Sequence, residues 1–360
     1  MKAFNNSLKL EKMPKQPRGL KGVYRSRKYS HIWVLDQKNR GKSAALNAGI
    51  LFAKNGIIVT LDADSLLERN ALSVLSCAFA DRNVAAVGGA IHIMQGYSCF
   101  GRRYRHTRMT PIIALQLLEY LKGFYVYKLS LAHQNAIAII SGAFGAFRKD
   151  LLEQFGGYRH TLGEDIDITM RIQRMIHKTR KKVLYLPQAL CYTQCPETWR
   201  DLIRQRFRWQ KGFIDCTVYH KRFLLKTCLT KSLSFHFFVE AMLVGICSCL
   251  FTVLSFALAL WFFLNNSNAA MTFVRYQIVS VLLGILYSLS AVVISARYQS
   301  YPRGTWPMIV LAIGLDMLFY RWLTLIWYIG GTLAYFWSRR NRTNWNKVER
   351  SKKDFIVGSV

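Results

Sequence analysis

Residues 31–65 read HIWVLDQKNRGKSAALNAGILFAKNGIIVTLDADS. The runs at 31–35 and 57–61 are rich in β-branched and aromatic residues, which is typical of strands, whereas 43–54 has the spacing of a helix. Gly56 ends that helix. The apolar run at 57–61 therefore predicts a buried strand of a parallel sheet.

The alternation continues downstream, with a helix predicted at 70–79 and a strand at 84–88. Strands that alternate with helices predict an α/β layer structure, in which ligands bind beyond the carboxyl ends of the strands. Asp62 and Asp64 follow such an end. Two carboxylates there suit Mg²⁺ or Mn²⁺ bridging a diphosphate, and a solvated turn is the alternative explanation.

Two other site types are excluded by spacing. Gly41-Lys42-Ser43 before a helix resembles the end of a P-loop, but that motif needs a glycine five residues earlier, where Asp36 stands. The cysteines have no zinc-site spacing with histidine, so we expect free thiols in a reducing compartment.

Charged and apolar residues are segregated along the chain. Its 360 residues include 50 Lys+Arg and 19 Asp+Glu, giving a formal charge of +31, yet 52% of them are hydrophobic. The apolar excess lies between about 238 and 337, which argues against disorder and against a plain soluble basic domain. No recognition motif accompanies the basic runs, so we expect no nucleic-acid partner.

Three long apolar runs predict membrane helices. They cover about 238–264, 277–296 and 308–337, and each reaches the ~20 residues that a spanning helix needs. The third run carries Asp316 and Arg321. We therefore expect a multi-pass protein of the cell membrane, with the lipid bilayer as a partner. The segment before the first run is strongly basic, so we expect it to be cytoplasmic.

The side of the basic tail is a separate question. Three crossings would place it outside, against the positive-inside rule, whereas we expect a cytoplasmic tail. The third run then either turns back near Asp316–Arg321, or one segment lies in the interface. Residues 111–131 and 199–223 mix apolar and basic residues at helical spacing, so they are predicted interfacial helices, with ordinary half-buried helices as the alternative.

Two further motifs suggest chemistry. Glu164 and Asp165 follow Gly163 in a predicted loop before a helix at 166–176, where an acid could also serve only as a dipole-favoured cap. Further along, Gln205 shares a helix face with Arg208 and with Trp209. A guanidinium grips phosphate oxygens and a Trp face stacks on a sugar ring, although a membrane-surface basic helix would look similar.

Six short motifs occur in one order along the chain. They are Lys42-x-x-Ala45-Leu46-Asn47-x-Gly49, Asp62-x-Asp64, Ser141-Gly142, Gly156-Gly157, Gly163-Glu164-Asp165 and Gln205-x-x-Arg208-Trp209. The ordered set resembles family 2 glycosyltransferases, specifically the membrane-embedded processive polysaccharide synthases of the cellulose, chitin, hyaluronan and poly-N-acetylglucosamine type. The resemblance covers about residues 30–350, including the tail motif WNKVER at 345–350.

The resemblance implies a GT-A nucleotide-sugar domain resting on interfacial helices over a transmembrane channel. Asp62 and Asp64 would hold Mg²⁺ or Mn²⁺ and the diphosphate of a UDP-sugar, with Lys42 on the donor side. Asp165 would be the general base that deprotonates the acceptor hydroxyl, supported by Glu164.

The remaining roles that the resemblance implies fall on Gln205-x-x-Arg208-Trp209. Trp209 would stack under the terminal acceptor sugar, while Arg208 and Gln205 would meet the diphosphate and the acceptor. The implied reaction is an inverting transfer onto a growing polysaccharide, with translocation of the product and with accessory subunits as further partners. The alternatives are a non-processive enzyme acting on a lipid acceptor and an inactive membrane subunit.

The beginning of the chain departs from the family pattern. Residues 1–30 match neither of the two motif-bearing strands that open the family's domain, so we expect an amino-terminally incomplete GT-A-type domain followed by an α-helical membrane region. The predicted boundaries are a basic leader at 1–30, a cytosolic catalytic domain at 31–232, a transmembrane region at 233–337 and a basic tail at 338–360.

Overall fold

A computed structural model of the chain describes most of its length. The described residues are 8–10, 19–95, 109–176, 179–240, 248–265, 267–301 and 303–337. The tail at 338–360, with the 345–350 motif, lies outside them, as do parts of the predicted leader.

The described residues form eight strands in two sheets. They are β1 (Leu8–Leu10), β2 (Leu20–Ser26), β3 (Trp33–Gln37), β4 (Ile57–Leu61), β5 (Ser65–Leu67), β6 (Val84–Ile93), β7 (Phe144–Arg148) and β8 (Lys182–Thr193).

Twelve α-helices and two π-helical segments accompany them in the same described part. The helices of the first half are α1 (Lys42–Phe52), α2 (Ala71–Ala78), α3 (Pro111–Leu121), α4 (Lys128–His133), α5 (Lys149–Gln154) and α6 (Glu164–Ile176). Those of the second half are α7 (Trp199–Lys226), α8 (Ser232–Phe238), α9 (Ser248–Asn265), α10 (Ser267–Ser295), α11 (Trp306–Leu315) and α12 (Arg321–Trp337). The π-helical segments are Lys122–Tyr127 and Asp316–Tyr320.

The larger sheet has the order β4-β7-β6-β8-β5. Within this sheet only β6 and β8 run parallel. Strand β7 pairs antiparallel with both β4 and β6, and β5 pairs antiparallel with β8. All ten residues of β6 are buried, which identifies it as the centre of the domain. The predicted α/β layer structure is confirmed, as are the helices at 43–54 and 70–79, which correspond to α1 and α2.

Two strand predictions are wrong. The 57–61 strand is not a buried parallel strand: it pairs antiparallel with β7 and alternates buried and exposed residues. The 31–35 strand begins later, at Trp33, and joins β1 and β2 in a separate antiparallel sheet. A short apolar run specifies an extended backbone but not the direction of its neighbour, which depends on contacts made far along the chain.

Apolar clusters cover both faces of the large sheet. Phe144 and Ala146 of β7 point into the smaller cluster, which α2 completes with Leu75. Phe147 points to the other face, into a larger cluster shared with α3, α5 and α6. Ala291 of α10, Ile309 of α11 and Trp327 of α12 belong to that larger cluster, so the apolar helices pack directly on the domain.

Two helices of the described part are long and apolar enough to cross a membrane. They are Met271–Ser295, within α10, and Arg303–Trp337, which contains α11 and α12. They correspond to the predicted spans at 277–296 and 308–337. The first predicted span overlaps α9, and its residues 241–247 lie outside the described part.

The third apolar run does not turn back. Helical backbone continues from α11 through the Asp316–Tyr320 segment into α12. Lys122 reaches Asp316 at 2.6 Å, so the buried carboxylate in this run has a cationic partner from the domain. The other expectation, that one segment lies in the interface, stays a prediction.

Helix α12 follows α7 along its length. A Cβ on Gly330 would overlap the Phe207 ring at 2.5 Å, and Gln210 Nε2 donates to Thr332 Oγ1 at 3.1 Å. Further along, Tyr335 donates to Asp215 Oδ1 at 3.3 Å. The glycine removes the side chain that would otherwise keep the two helices apart.

Candidate active site

Lys42 lies at the centre of a charged cluster. It begins α1, directly after Gly41, whose φ of 88° is the left-handed conformation that glycine tolerates. Its Nζ lies 2.6 Å from Asp62 Oδ1 and 3.5 Å from Glu164 Oε1, and it donates to Gly142 O at 3.1 Å. Three predicted motifs, distant in the sequence, therefore meet at one ammonium.

Asp165 is held on the other side of the same glycine. Gly142 N donates to Asp165 Oδ2 at 3.1 Å, and Ile166 N donates to Oδ1 at 2.9 Å. A Cβ on Gly142 would lie only 2.9 Å from Lys42 Nζ, so a side chain here would displace the ammonium. Glu164 and Asp165 occupy the first turn of α6 rather than the predicted loop before it.

Hydrogen bonds from side chains of α1 to the backbone at 158–159 fix this helix beside the cluster. Tyr158 N donates to Asn47 Oδ1 at 2.7 Å, and Asn47 Nδ2 donates back to Tyr158 O at 2.9 Å. Ser43 Oγ donates to Arg159 O at 2.9 Å. Gly157 has a φ of 78°, and any Cβ there would collide with the Asn47 amide. The Asn47 and Gly156-Gly157 motifs are thus two halves of one structural contact.

Helix α7 approaches α6 where Gly163 and Gly212 meet. A Cβ on Gly163 would stand 2.8 Å from Gly212 O, and a Cβ on Gly212 would stand 2.9 Å from Gly163 N. Cys216 Sγ donates to Gly163 O at 3.2 Å. This contact brings α7 against the start of α6, one turn from Arg208.

Arg208 belongs to the same electrostatic cluster. Burial lowers its pKa, against the attraction of the Glu164, Asp62 and Asp165 carboxylates. Gly212 lies four residues further on, on the same face of α7. The predicted donor-side cation therefore lies near all three carboxylates.

Gln205 and Trp209 are placed differently. Gln205 is buried, and its Oε1 accepts no hydrogen bond from the described residues. The Trp209 side chain is 41% exposed, and the Arg206 guanidinium covers one face of its ring at 4.2 Å. Arg206 in turn pairs with Glu119 Oε2 at 2.8 Å. Trp209 is therefore an accessible ring with a fixed orientation.

The cluster shifts the titration of its own members. Burial would lower the pKa of Lys42, but the Asp62 and Glu164 carboxylates outweigh it and raise that pKa. Burial, helped by the charge of Asp165, raises the pKa of Glu164 to about 7 even though Lys42 opposes the shift. Glu164 is thus poised to exchange a proton near neutral pH, as general acids and bases are.

Asp62 and Asp64 are the candidate metal ligands. Both follow β4, and Asp62 N is fixed by a bond to Ala143 O at 3.3 Å. Asp62 Oδ1 is bound to Lys42, and the described residues contain no group of three His, Cys, Asp or Glu that could hold a metal. Two aspartates fit a divalent ion only if the donor's diphosphate supplies further ligands.

Two features were missed in the sequence. Lys128 of α4 has its pKa lowered to about 8 by burial, against the attraction of Asp165 and Glu240. It stands in the stretch that we interpreted as an interfacial helix, where a basic residue carries no distinguishing signal. A lysine near Asp165 could have been suspected only from the fold.

The second feature is an ion-pair hub behind the acidic motif. Asp167 is fully buried; its Oδ1 lies 3.2 Å from Arg159 Nε and 3.0 Å from His220 Nε2, and its Oδ2 lies 2.8 Å from Arg171 Nη2. Arg159 also pairs with Asp215 of α7 at 2.8 Å. The hub joins α6 to α7, and its only sequence signal is a third acid in the run EDID.

The comparison with known families identifies the domain. The profile described as "Glycosyltransferase like family 2" matches residues 21–212, more than half of the chain and all of the cluster described above. The chain belongs to glycosyltransferase family 2. A chitin synthase profile matches residues 158–329, which include the acidic motif, α7 and most of the apolar helices. The predicted family resemblance is confirmed.

Individual relatives of this family 2 chain are polysaccharide synthases. It is 31% identical over 183 residues to the poly-beta-1,6-N-acetyl-D-glucosamine synthase of Staphylococcus aureus strain COL, covering 50% of this chain and 40% of the relative. It is 30% identical over 217 residues to the enzyme of that name from Staphylococcus epidermidis, covering 59% of this chain and 48% of the relative. The chain thus spans less than half the length of these curated relatives.

One solved structure overlaps more loosely. It is the mannosyltransferase PcManGT of Pyrobaculum calidifontis in complex with GDP-Man and Mn²⁺. The sequence identity is 18% and the TM-score 0.44, with 84% of this chain and 68% of the other covered.

Proposed function

We propose that this chain is a membrane glycosyltransferase that transfers a sugar from a UDP-sugar, with inversion, onto a growing polysaccharide. The observation that carries the proposal is the convergence of three carboxylates, those of Asp62, Glu164 and Asp165, around Lys42. Arg208 interacts electrostatically with the same three carboxylates. Membership of family 2 and the names of the relatives support the reaction class.

Asp165 is the proposed general base. Its two oxygens accept bonds from Gly142 N and Ile166 N, which hold the carboxylate in one orientation. In the transfer, the acceptor oxygen forms a bond to the sugar C1 as the bond from C1 to the diphosphate oxygen breaks. The acceptor proton passes to Asp165 and UDP leaves with the bonding electrons.

Lys42 and Arg208 form the proposed donor side. An ammonium and a guanidinium near the leaving diphosphate would stabilise the negative charge that develops there. Asp62 and Asp64 would hold Mg²⁺ or Mn²⁺ together with the diphosphate, and the ion would supply Lewis-acid charge stabilisation. Asp62 Oδ1 also pairs with Lys42 Nζ at 2.6 Å, so the two proposed donor-side elements are in direct contact.

Trp209 and Gln205 form the proposed acceptor side. The exposed Trp209 ring offers a flat surface for the terminal sugar, and Gln205 one turn earlier on α7 offers an amide without a bond at its Oε1 among the described residues. The relatives' names point to N-acetylglucosamine as the transferred sugar, so UDP-N-acetylglucosamine is the first donor to test.

The proposed location is a membrane, with the catalytic domain on the cytoplasmic side. The two apolar helices at Met271–Ser295 and Arg303–Trp337 support it by length and composition. Because they pack on the catalytic domain through the larger apolar cluster, the product would emerge beside them, and translocation of the polymer is part of the proposal. Accessory subunits complete the proposed set of partners.

The test is sugar transfer by membranes that contain this chain. They are incubated with radiolabelled UDP-sugars and Mg²⁺ or Mn²⁺, and the product is sized. We expect label from UDP-N-acetylglucosamine in long polymer; label in a short lipid-linked product would replace polymer synthesis by transfer to a lipid. Absence of transfer from every UDP-sugar, by protein shown to be folded, would contradict the proposal.

A further inference from the structure

A groove of about 630 Å³ lies between α10 and the junction of the Asp316–Tyr320 segment with α12. On α10 it is lined by Tyr276, Ser280 and Tyr287, which recur at intervals of about one or two turns on one face. Lys122 closes it from the domain side. The groove is far from Lys42 in sequence and uses none of the proposed catalytic residues.

The polar part of the groove carries a net positive charge. Lys122 Nζ is bound to Asp316 Oδ2 at 2.6 Å, and Asp316 is only 5% exposed. Arg321 donates to the Ser280 hydroxyl at 3.3 Å, and within the described part of the chain no carboxylate forms an ion pair with it. One carboxylate therefore faces two cations, and Arg321 keeps donors for an anion.

The remaining walls are apolar. Val279, Leu283 and Met317 line the groove beside the charged groups. A small water-soluble anion would satisfy Arg321 but leave this apolar surface uncovered. The complementary ligand carries an anionic head on an apolar chain.

The position of the groove fits such a ligand. Lys122 follows α3, which packs on the catalytic sheet, whereas Ile278, Leu282 and Leu286 of α10 are each more than half exposed. Ser280 and Arg321 lie near the middle of the two apolar helices Met271–Ser295 and Arg303–Trp337, beside Lys122 of the domain. An arginine at that depth of a bilayer needs an anionic partner, and snorkelling of its side chain with local thinning of the bilayer brings lipid phosphates within its reach.

We propose that this groove binds an anionic phospholipid, with its phosphate on Arg321 and an acyl chain along Leu283 and Met317. Arginine suits this role because its planar fork of N–H groups matches phosphate oxygens. The inference rests on the membrane part of the proposed function, but not on the sugar-transfer chemistry. Bound lipid would link the apolar helices to Lys122 of the catalytic domain.

Native mass spectrometry of the full chain tests this. The protein is purified in neutral detergent and equilibrated with equal amounts of phosphatidylglycerol and phosphatidylcholine of matched acyl chains. Wild type should retain phosphatidylglycerol preferentially, and Arg321→Gln should reduce that retention about tenfold, the effect of one charge-assisted hydrogen bond. Arg321→Lys should retain part of it, and Arg275→Gln, which removes an exposed charge from α10 outside the groove, should retain all of it.

Several outcomes would overturn the inference. They are equal retention of the two lipids by wild type, unchanged retention in Arg321→Gln, displacement of the lipid by inorganic phosphate alone, or a lipid-linked saccharide in the groove. Thermal unfolding of each variant separates lost binding from lost folding. Because lipid retention is measured without donor sugar, it can fail while sugar transfer succeeds, or succeed while transfer fails.

Discussion

Gly163 and Gly212 lie backbone against backbone: a Cβ on Gly163 would stand 2.8 Å from the carbonyl oxygen of Gly212. The first residue precedes the acidic pair at the start of α6, and the second follows Arg208 by one turn of α7. The contact therefore sets the distance between the proposed base and the proposed donor-side cation.

Gly212→Ala should weaken catalysis by separating these two helices. Relief of the overlap moves α7 away from α6, and a displacement of this kind can lower a rate by about 10²-fold. Overpacking should also cost about 1–3 kcal/mol of stability. The measurements are the initial rate of sugar transfer and the thermal unfolding midpoint. Gly314→Ala is the control, since its Cβ meets no atom within 4 Å; equal rates for the two variants would refute this role of the contact.

Lys42→Met should move the acidic limb of the pH–rate profile to higher pH. Burial and the charge of Asp165 raise the pKa of Glu164 to about 7, and Lys42 holds it lower than it would otherwise be. Without the ammonium that pKa rises further, so a higher pH is needed to ionise Glu164. The measurement is transfer rate against pH.

The matched control for Lys42 is Lys54→Met, which removes an exposed lysine just beyond the end of α1. It should leave the profile of the wild type. A limb that stays in place in Lys42→Met, or moves to lower pH, would show that Glu164 does not control the rate.

Trp209→Ala should raise KM for the acceptor by about 3- to 10-fold, the range expected for loss of one aromatic contact. Trp209→Phe should recover part of the effect because it retains a flat ring. Trp199→Ala is the matched control: this tryptophan is also on α7 and is 40% exposed, against 41% for Trp209. Equal KM values for the two alanine variants would remove Trp209 from the acceptor site.

The helices of the catalytic domain were readable from local pattern, and the strand directions were not. The periodicity at 43–54 and 70–79 is a property of the segment itself, and both helices form. The strand at 57–61 pairs with β7 across more than eighty residues of chain. Its alternating exposure means that one face of the strand is uncovered, which the uninterrupted apolar start of IIVTL does not indicate.

The candidate site was likewise only partly predictable from the sequence. The acidic pairs at 62–64 and 164–165 and the Gln205-x-x-Arg208-Trp209 motif could be found from residue type and spacing, whereas the role of Lys42 came only from the family resemblance. The contacts that unite them could not, since Gly142 bonds to Lys42 and Asp165 through its backbone alone. The Asp167 hub was missed because a third acid in EDID reads like any solvated helix start.

Asp167→Asn should destabilise the protein by about 3–5 kcal/mol, because this fully buried carboxylate is the anion that Arg159, Arg171 and His220 share. Burial would raise the pKa of Asp167, but the hydrogen bond with His220 and the charges of Arg171 and Arg159 outweigh it and hold the pKa below its ordinary value of 3.8. The stabilisation is therefore present above that pH and is lost as the pH falls through the lower folded value.

Thermal unfolding at neutral and acidic pH checks the hub. The difference between wild type and Asp167→Asn should be large at neutral pH and should shrink below about pH 4. Asp81→Asn is the control, since it removes an exposed ion pair with Lys182 and should change the midpoint little. A difference that is constant with pH would show that the Asp167 charge is not the stabilising feature.

The most direct measurement is radiolabel transfer from UDP-N-acetylglucosamine into product by wild type, Asp165→Asn and Asp150→Asn. Both aspartates lie in the first turn of a helix and accept a bond from the next residue's N–H at 2.9 Å, but Asp150 is exposed on α5. We expect Asp165→Asn to fold normally and to lose about 10²- to 10⁴-fold in rate, as for removal of a general base, while Asp150→Asn transfers like the wild type. Equal transfer by Asp165→Asn and the wild type would contradict the assignment of Asp165 as the base.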